Sequence, residues 1–196
     1  MYKRFFKLFF DIIASLLLVI LLLPFFIIIA LMIKLDSSGP IFYLSERVGK
    51  DGNTFYLYKF RTMLDKERQT NVQVFADSPE VTRIGKILRR LKIDELPQLL
   101  NVLRGDLSLI GPRPCLKSLL GKMDENSKVR FDVRPGMTGL AQVNGNIHIE
   151  WEERWAYDVE YVNNLKLILD LKILFKTIAI VLLGEEKFVK KPNNKK

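Results

Sequence analysis

Leu8 to Ile33 reads "LFFDIIASLLLVILLLPFFIIIALMI", and how this run meets a lipid bilayer decides the rest of the fold. It carries one charge, Asp11, and exceeds the ~20 residues needed to cross a hydrocarbon core. It is too long for the apolar heart of a signal peptide, and no small-residue cleavage site follows. Pro24 lies near its middle and frees the carbonyl of Ile20. Basic residues stand at both ends, Lys3, Arg4 and Lys7 before it and Lys34, Arg47 and Lys50 after. A straight span would put one basic set on the outer face, whereas a helix that turns back at Pro24 keeps both sets cytoplasmic. The expectation is a re-entrant, proline-broken membrane helix over 1–36, with a kinked single span as the alternative.

A second membrane signal lies at Leu165 to Leu183, "LKLILDLKILFKTIAIVLL". At 100° per residue Lys166, Asp170, Lys172, Lys176 and Thr177 share a polar arc of roughly 160°, and apolar residues fill the remainder. This describes a helix lying in the membrane interface; packing of the same apolar face on a soluble core is the alternative. The tail over 185–196 adds lysines suited to anionic headgroups, each contributing about 1 kcal/mol near the surface.

Between these segments, "GPIFYLSERVGKDGNTFYLYKFRTM" holds a Lys-Asp-Gly-Asn turn between two aromatic-rich runs and reads as a β-hairpin, with Lys59 and Arg61 on one face of its second arm. Pro79 to Leu91 has the pattern of a basic amphipathic helix, solvated or facing headgroups, with Arg89 the one arginine that is a candidate to turn into a site. A short helix over 95–103 follows, then the loops "IGPRP" and "VRPGMTGLAQVNGN", and the helical "WEERWAYDVEYVNN". The fold class expected is α+β, mostly helical, as one membrane-associated domain: membrane helix 1–36, catalytic domain 37–184 with its interfacial helices, basic tail 185–196.

The 196 residues carry a net charge of +9, which suits nucleic acid, anionic lipid or phosphorylated small molecules. No recognisable nucleic-acid module interleaves the bases, which leaves the last two. One cysteine, Cys115, precludes an internal disulfide, and one histidine, His148, precludes multi-histidine or thiolate zinc sites. Any metal should be held by oxygen, and the chemistry should fall to carboxylates, lysines or hydroxyls.

Asp94 and Glu95 in "KIDELPQLLNVLRGDLSLIGPRP" open a short helix, with Pro97 where a missing N–H costs little and Gly105 just past the end. Acids there cap the helix and complement its dipole for about 0.3–1 kcal/mol. Their company points further. Arg113, between Pro112 and Pro114, presents a forked donor with little backbone entropy left to lose on binding a phosphate, and Lys59, Arg61 and Arg89 supply more charge. Such a site can use Mg²⁺ and a carboxylate to handle a phosphate ester.

Through "ERVGKDG", "YKFRTM", "DELPQLLNVLRGDLSLIGPRP", "VRPGMTGLAQVNG", "WEERWAYDVEYV" and "LDLKIL" the chain resembles the bacterial sugar transferases known as monotopic phosphoglycosyl transferases, in their minimal form. The resemblance implies transfer of a sugar 1-phosphate from a UDP-sugar to undecaprenyl phosphate with release of UMP, at the cytoplasmic face of a bacterial inner membrane, feeding downstream glycosyltransferases. It implies a phosphosugar-aspartyl intermediate on Asp94, help from Glu95, Mg²⁺ on Asp94 first and Glu95 second, and phosphate or nucleotide contacts at Arg113 and Arg89. Gln142 and Asn144 become candidates for sugar or nucleobase contacts or for loop caps, and Asp170 a further polar point. One departure stands out, because Asn146 occupies a place where many members carry arginine. Two other readings compete: a direct ternary-complex reaction with Asp94 only a metal ligand, and a non-catalytic adaptor holding anionic lipid.

Overall fold

In the computed structural model, residues 2, 6–65, 78–184 and 188 are described; Lys3, Arg4 and nearly all of the basic tail lie outside them. Helix α1, Lys7–Asp36, is followed by the antiparallel hairpin β1, Phe42–Val48, and β2, Thr54–Phe60. Two short helices come next, α2, Arg83–Arg90, and α3, Gln98–Arg104. Strands β3, Ser108–Ile110, and β4, Gly136–Thr138, pair in parallel. The one-turn α4, Leu140–Val143, then leads to α5, Trp151–Asn163, and α6, Leu167–Leu183.

α1 is helical from Lys7 to Asp36 with Pro24 inside it. A proline removes one backbone bond, and where no water can satisfy freed groups the helix keeps the rest. The helix buries a single stripe. Lys7, Asp11 and Ser15 at one end and Ile29 and Ile33 at the other are covered, with Val19, Leu22 and Phe26 half-buried between them at helical spacing. Both ends of α1 therefore dock on the same domain. At the start, Lys7 Nζ donates to Asp170 Oδ2 at 2.8 Å and Ser108 Oγ to Asp11 Oδ2 at 2.6 Å. At the finish, Arg61 donates to the carbonyls of Ser37, at 2.7 Å, and Ser38, and the Asp36 carboxylate accepts from the N–H of Ile84 at 2.9 Å. The outer face of α1 leaves Phe9, Leu17, Ile20, Leu21 and Leu35 exposed.

Hairpin and turn stand where the sequence puts them, with Asp51 and Gly52 at positive φ. The outer edge of β2 is closed by a side chain instead of a strand. Asn101 on α3, wholly buried, donates from Nδ2 to the carbonyl of Tyr56 at 2.8 Å and accepts the N–H of Tyr58 at 3.0 Å. Helix α2 is shorter than its pattern suggests, because Val81 bridges Met63 and Thr82 Oγ1 caps the helix by accepting from the N–H of Gly85. A Cβ on Gly85 would lie 2.0 Å from the carbonyl oxygen of Thr62. Gly85→Ala should therefore push α2 off the hairpin and lower stability by about 1–3 kcal/mol, read as a fall in the thermal unfolding midpoint of the detergent-purified protein.

Helix α6 turns most of its polar arc to the domain instead of to water. Asp170, Ile173 and Ile180 are buried, with Thr177 half-buried, while Ile168, Leu171, Phe175, Ile178 and Leu182 stay exposed. Asp170, Lys176 and Thr177 of its polar arc bond to the domain, Lys166 and Lys172 stay exposed, and its apolar face looks outward, which suits a helix at a membrane interface.

Candidate active site

A left-handed residue, Lys92 at φ 56°, ends α2 and reverses the chain into a single turn, Ile93–Glu95, ahead of Pro97 and α3. This turn sets the two acids between the hairpin and the loop after β3. Glu95 Oε1 accepts from Lys59 Nζ at 2.6 Å and from Arg113 Nη2 at 3.0 Å, so it ties β2 to the Pro-Arg-Pro loop. Burial works to raise the Glu95 pKa, yet the charges of Arg113 and Lys59 outweigh it and hold the group at about 2. Asp94 moves the other way. Burial pushes it above the usual aspartate value, with the Glu95 charge adding to the rise and Lys59 and Arg89 opposing it. Two adjacent carboxylates thus have separate environments, one held as an anion by its cations and one whose charged form burial disfavours.

Asp94 borders a cavity of about 490 Å³ lined also by Lys59, Arg61, Thr62, Arg89 and Phe42. Arg89 is aimed by Thr62, whose Oγ1 accepts from its Nε at 2.9 Å. Arg61 shares this wall, but its guanidinium is spent on the last turn of α1. The carbonyls at a helix end attract a buried cation as well as a phosphate would. Lys59 and Arg61 leave the same strand face for different tasks.

Backbone packing too close for a side chain positions the loop carrying Arg113. A Cβ on Gly136 would sit 2.1 Å from the Gly111 nitrogen, and one on Gly139 would sit 2.1 Å from the Gly111 carbonyl oxygen. The N–H of Gly136 donates to the carbonyl of Pro112 at 2.8 Å. Pro112 is fully buried, Pro114 half-buried, and Arg113 half-exposed between them. Sequence reasoning missed the brace beneath this loop: Arg130 Nη2 donates to the Arg113 carbonyl and pairs with Asp158 at 3.0 Å, both side chains being buried. Burial lifts Asp158 to about 6 against the pull of Arg130. "DVEYV" lies within a matching motif, but nothing local to it names a partner 28 residues upstream.

Of the remaining candidates, Gln142 lines a second cavity, of about 140 Å³, beyond Arg113; its amide nitrogen donates to the Met137 carbonyl. Asn144 is a tie, donating to the Leu140 carbonyl and accepting from Lys176 Nζ at 2.7 Å. Asp170 lines neither of these cavities. It accepts from Lys7, Tyr2 and Tyr161, and so belongs to the anchorage of α1.

The profile of bacterial sugar transferases matches residues 2–184 of this chain. The chain belongs to the bacterial sugar transferase family. Within that family, the uncharacterized sugar transferase EpsL of Bacillus subtilis (strain 168) is 44% identical over 91% of this chain and 88% of its own length. The exopolysaccharide production protein ExoY of Sinorhizobium fredii (strain NBRC 101917 / NGR234) is 37% identical over 89% of this chain and 84% of its own. A UDP-N-acetylgalactosamine-undecaprenyl-phosphate N-acetylgalactosaminephosphotransferase of Aeromonas hydrophila is 41% identical over 89% of this chain, which spans 43% of that longer protein. The family makes this chain an enzyme of the transferase class, and the exposed apolar faces of α1 and α6 suit association with a membrane.

Proposed function

We propose that the enzyme moves a sugar 1-phosphate from a UDP-sugar to undecaprenyl phosphate, through an intermediate on Asp94. The observation that carries this reading is the division of the dyad: Glu95 holds Lys59 and Arg113 in place, while Asp94 borders the cationic cavity beside the end of α1. In the first step an Asp94 oxygen attacks the sugar-bearing phosphorus, the phosphoanhydride bond breaks, and UMP departs with the electron pair. In the second step a phosphate oxygen of the lipid attacks that phosphorus, the bond to Asp94 breaks, and the carboxylate is restored beside polyprenyl-diphosphate-sugar. Lys59, Arg89 and Arg113 stabilise the charge on the phosphoryl oxygens at each step. The printed name of the Aeromonas relative, which pairs a UDP-sugar with undecaprenyl phosphate, supports this choice of substrates.

Mg²⁺ would supply further neutralisation of the diphosphate. No cluster of three or more acidic, histidine or cysteine side chains is present among the described residues, which suits a cation that takes one or two carboxylates and completes its shell with phosphate oxygens and water. Asp94 fits that role first. Glu95 fits less well, since one of its oxygens already serves two cations.

We place the enzyme at the inner membrane with its catalytic domain in the cytoplasm and α1 re-entrant, both ends on one side. Docking of both ends of α1 on one domain supports this reading, as does the outward apolar face of α6. The test is nucleotide release by detergent-purified protein given Mg²⁺, undecaprenyl phosphate and a panel of UDP-sugars. Lipid-dependent UMP is expected, and the active sugar names the donor. Release of UDP would mean plain glycosyl transfer and a different mechanism.

A further inference from the structure

The second cavity, beyond Arg113, has a use that the dyad does not exhaust. Four guanidiniums line it, those of Arg47, Arg113, Arg130 and Arg154, against one carboxylate, Asp158, which is already paired with Arg130. Arg47 makes no side-chain hydrogen bond to any described residue, and its Nε is buried without a partner. Gln142 Oε1 and Trp155 Nε1, from residues on the same wall, are likewise buried and unpartnered. Three of the five such atoms among the described residues therefore gather around one small cavity. Buried polar atoms left without partners cost about 1–3 kcal/mol each, so their clustering points to something that completes them.

Arg154 is held for such a task. Its guanidinium lies over the Trp151 ring at 4.3 Å, and its Nε donates to the Ile149 carbonyl at 2.9 Å, which fixes the plane and leaves the terminal nitrogens uncommitted. Burial first and the charge of Arg113 second depress the pKa of both Arg47 and Arg154, the mark of cations gathered without their counter-ion.

We propose that Arg47, Arg113 and Arg154 form the subsite for the nucleoside-side phosphate of the donor. The inference rests on the donor being a nucleoside diphosphate sugar, as proposed above. Arg113 ties the subsite to the reaction, since it bonds Glu95 and lines this cavity at once. With the sugar-bearing phosphate at Asp94, in-line displacement sets the leaving phosphate opposite the attacking oxygen, and Arg47, which lines both cavities, joins the Asp94 cavity to this one. The acceptor lipid shares the phosphate chemistry, but the cavity beside the end of α1 is the one that adjoins the membrane helix, through Arg61 and Pro40. Asn146 lines the nucleotide cavity, so an arginine placed there would put a guanidinium into the same space.

The experiment measures UMP binding to the full detergent-purified chain by calorimetry, beside KM for the UDP-sugar and for undecaprenyl phosphate. Arg154→Ala should weaken UMP about 10- to 100-fold and raise the donor KM in parallel, with the lipid KM within about twofold. Arg154→Ala combined with Asn146→Arg should recover most of the loss, and Arg154→Lys should fall between. Unchanged UMP affinity in Arg154→Ala, a loss that the second substitution does not recover, or a rise in the lipid KM instead would each overturn the proposal. If the wild type binds UMP in this Arg154-dependent way yet turns over no UDP-sugar, the phosphosugar transfer reading fails while the subsite stands. An active wild type with indifferent Arg154 variants sinks the subsite alone.

Discussion

Asp94→Asn will leave a folded protein whose UMP release is lower by about three orders of magnitude or more. The substitution keeps size and shape, and the ties that hold the site together run through Glu95, which bonds Lys59 and Arg113 whether or not residue 94 is charged. The loss is therefore one of chemistry. An amide oxygen is too weak a nucleophile to displace UMP, and it offers the lipid phosphate no bond to break. The check is twofold: nucleotide release with the active UDP-sugar, and capture of labelled phosphosugar on the protein when the lipid is withheld. The wild type should retain label on Asp94 and the variant none. Activity without capture would favour direct attack by the lipid phosphate in a ternary complex. The pH profile carries the same signature. Only the ionised carboxylate attacks, and burial raises the Asp94 pKa, so activity should climb with pH through a midpoint above the ordinary aspartate value. Glu95, held at about 2, stays charged across that whole range and contributes no limb.

The second large effect is one of stability. Asp170→Ala should destabilise the protein by about 3–5 kcal/mol, because it removes the nearer of the two carboxylates beside the buried Lys7 ammonium and leaves only Asp11, at 3.9 Å. Lys7 and Asp170 side chains are 10% and 5% exposed, and their 2.8 Å bond links α1 directly to α6. The same carboxylate accepts from Tyr2 at 2.6 Å and from Tyr161 at 2.8 Å, and the Tyr161 hydroxyl also reaches the Ile110 carbonyl, next to the Gly-Pro-Arg-Pro loop. Losing Asp170 thus loosens the anchor and the loop that carries Arg113 together. Replacing both partners, as Lys7→Met with Asp170→Leu, removes the buried ammonium as well and should regain much of the stability. Thermal unfolding of the single and double variants in one detergent measures this. A double variant no better than Asp170→Ala would mean that the tyrosine bonds, and not the ion pair, carry the effect.

What the sequence made legible is what lies within short reach along the chain. The hairpin turn, the acids before Pro97, Gly105 at the end of α3 and the apolar run of α1 all declare themselves through neighbours a few residues away. Arg61 did not, because its partners Ser37 and Ser38 lie beyond the strand on which it was read. The polar arc of α6 is legible in its spacing, but what the arc meets is not. Periodicity finds an arc, and only tertiary partners such as Lys7 for Asp170 and Asn144 for Lys176 decide whether it meets water or protein. The parallel pairing of β3 with β4 is three residues long on each side, too short for an alternating pattern to register. Within the site the dyad and Arg113 were visible from local grammar. Arg130 with Asp158, and Arg47 with Arg154, were invisible because their meaning lies in a cavity assembled from four separate stretches of chain.

Asn101 settles a matter of conduct toward other molecules. A bare strand edge is a template on which a second chain can lay its own backbone, a particular hazard where many copies crowd one membrane. By matching the Tyr56 carbonyl and the Tyr58 N–H with a single amide, α3 closes that template from within. Pairing of a second chain along the middle of β2 is thereby opposed without spending a further strand, and the outer edge of β1 is closed at its end by the bridge of Val48 to Cys115.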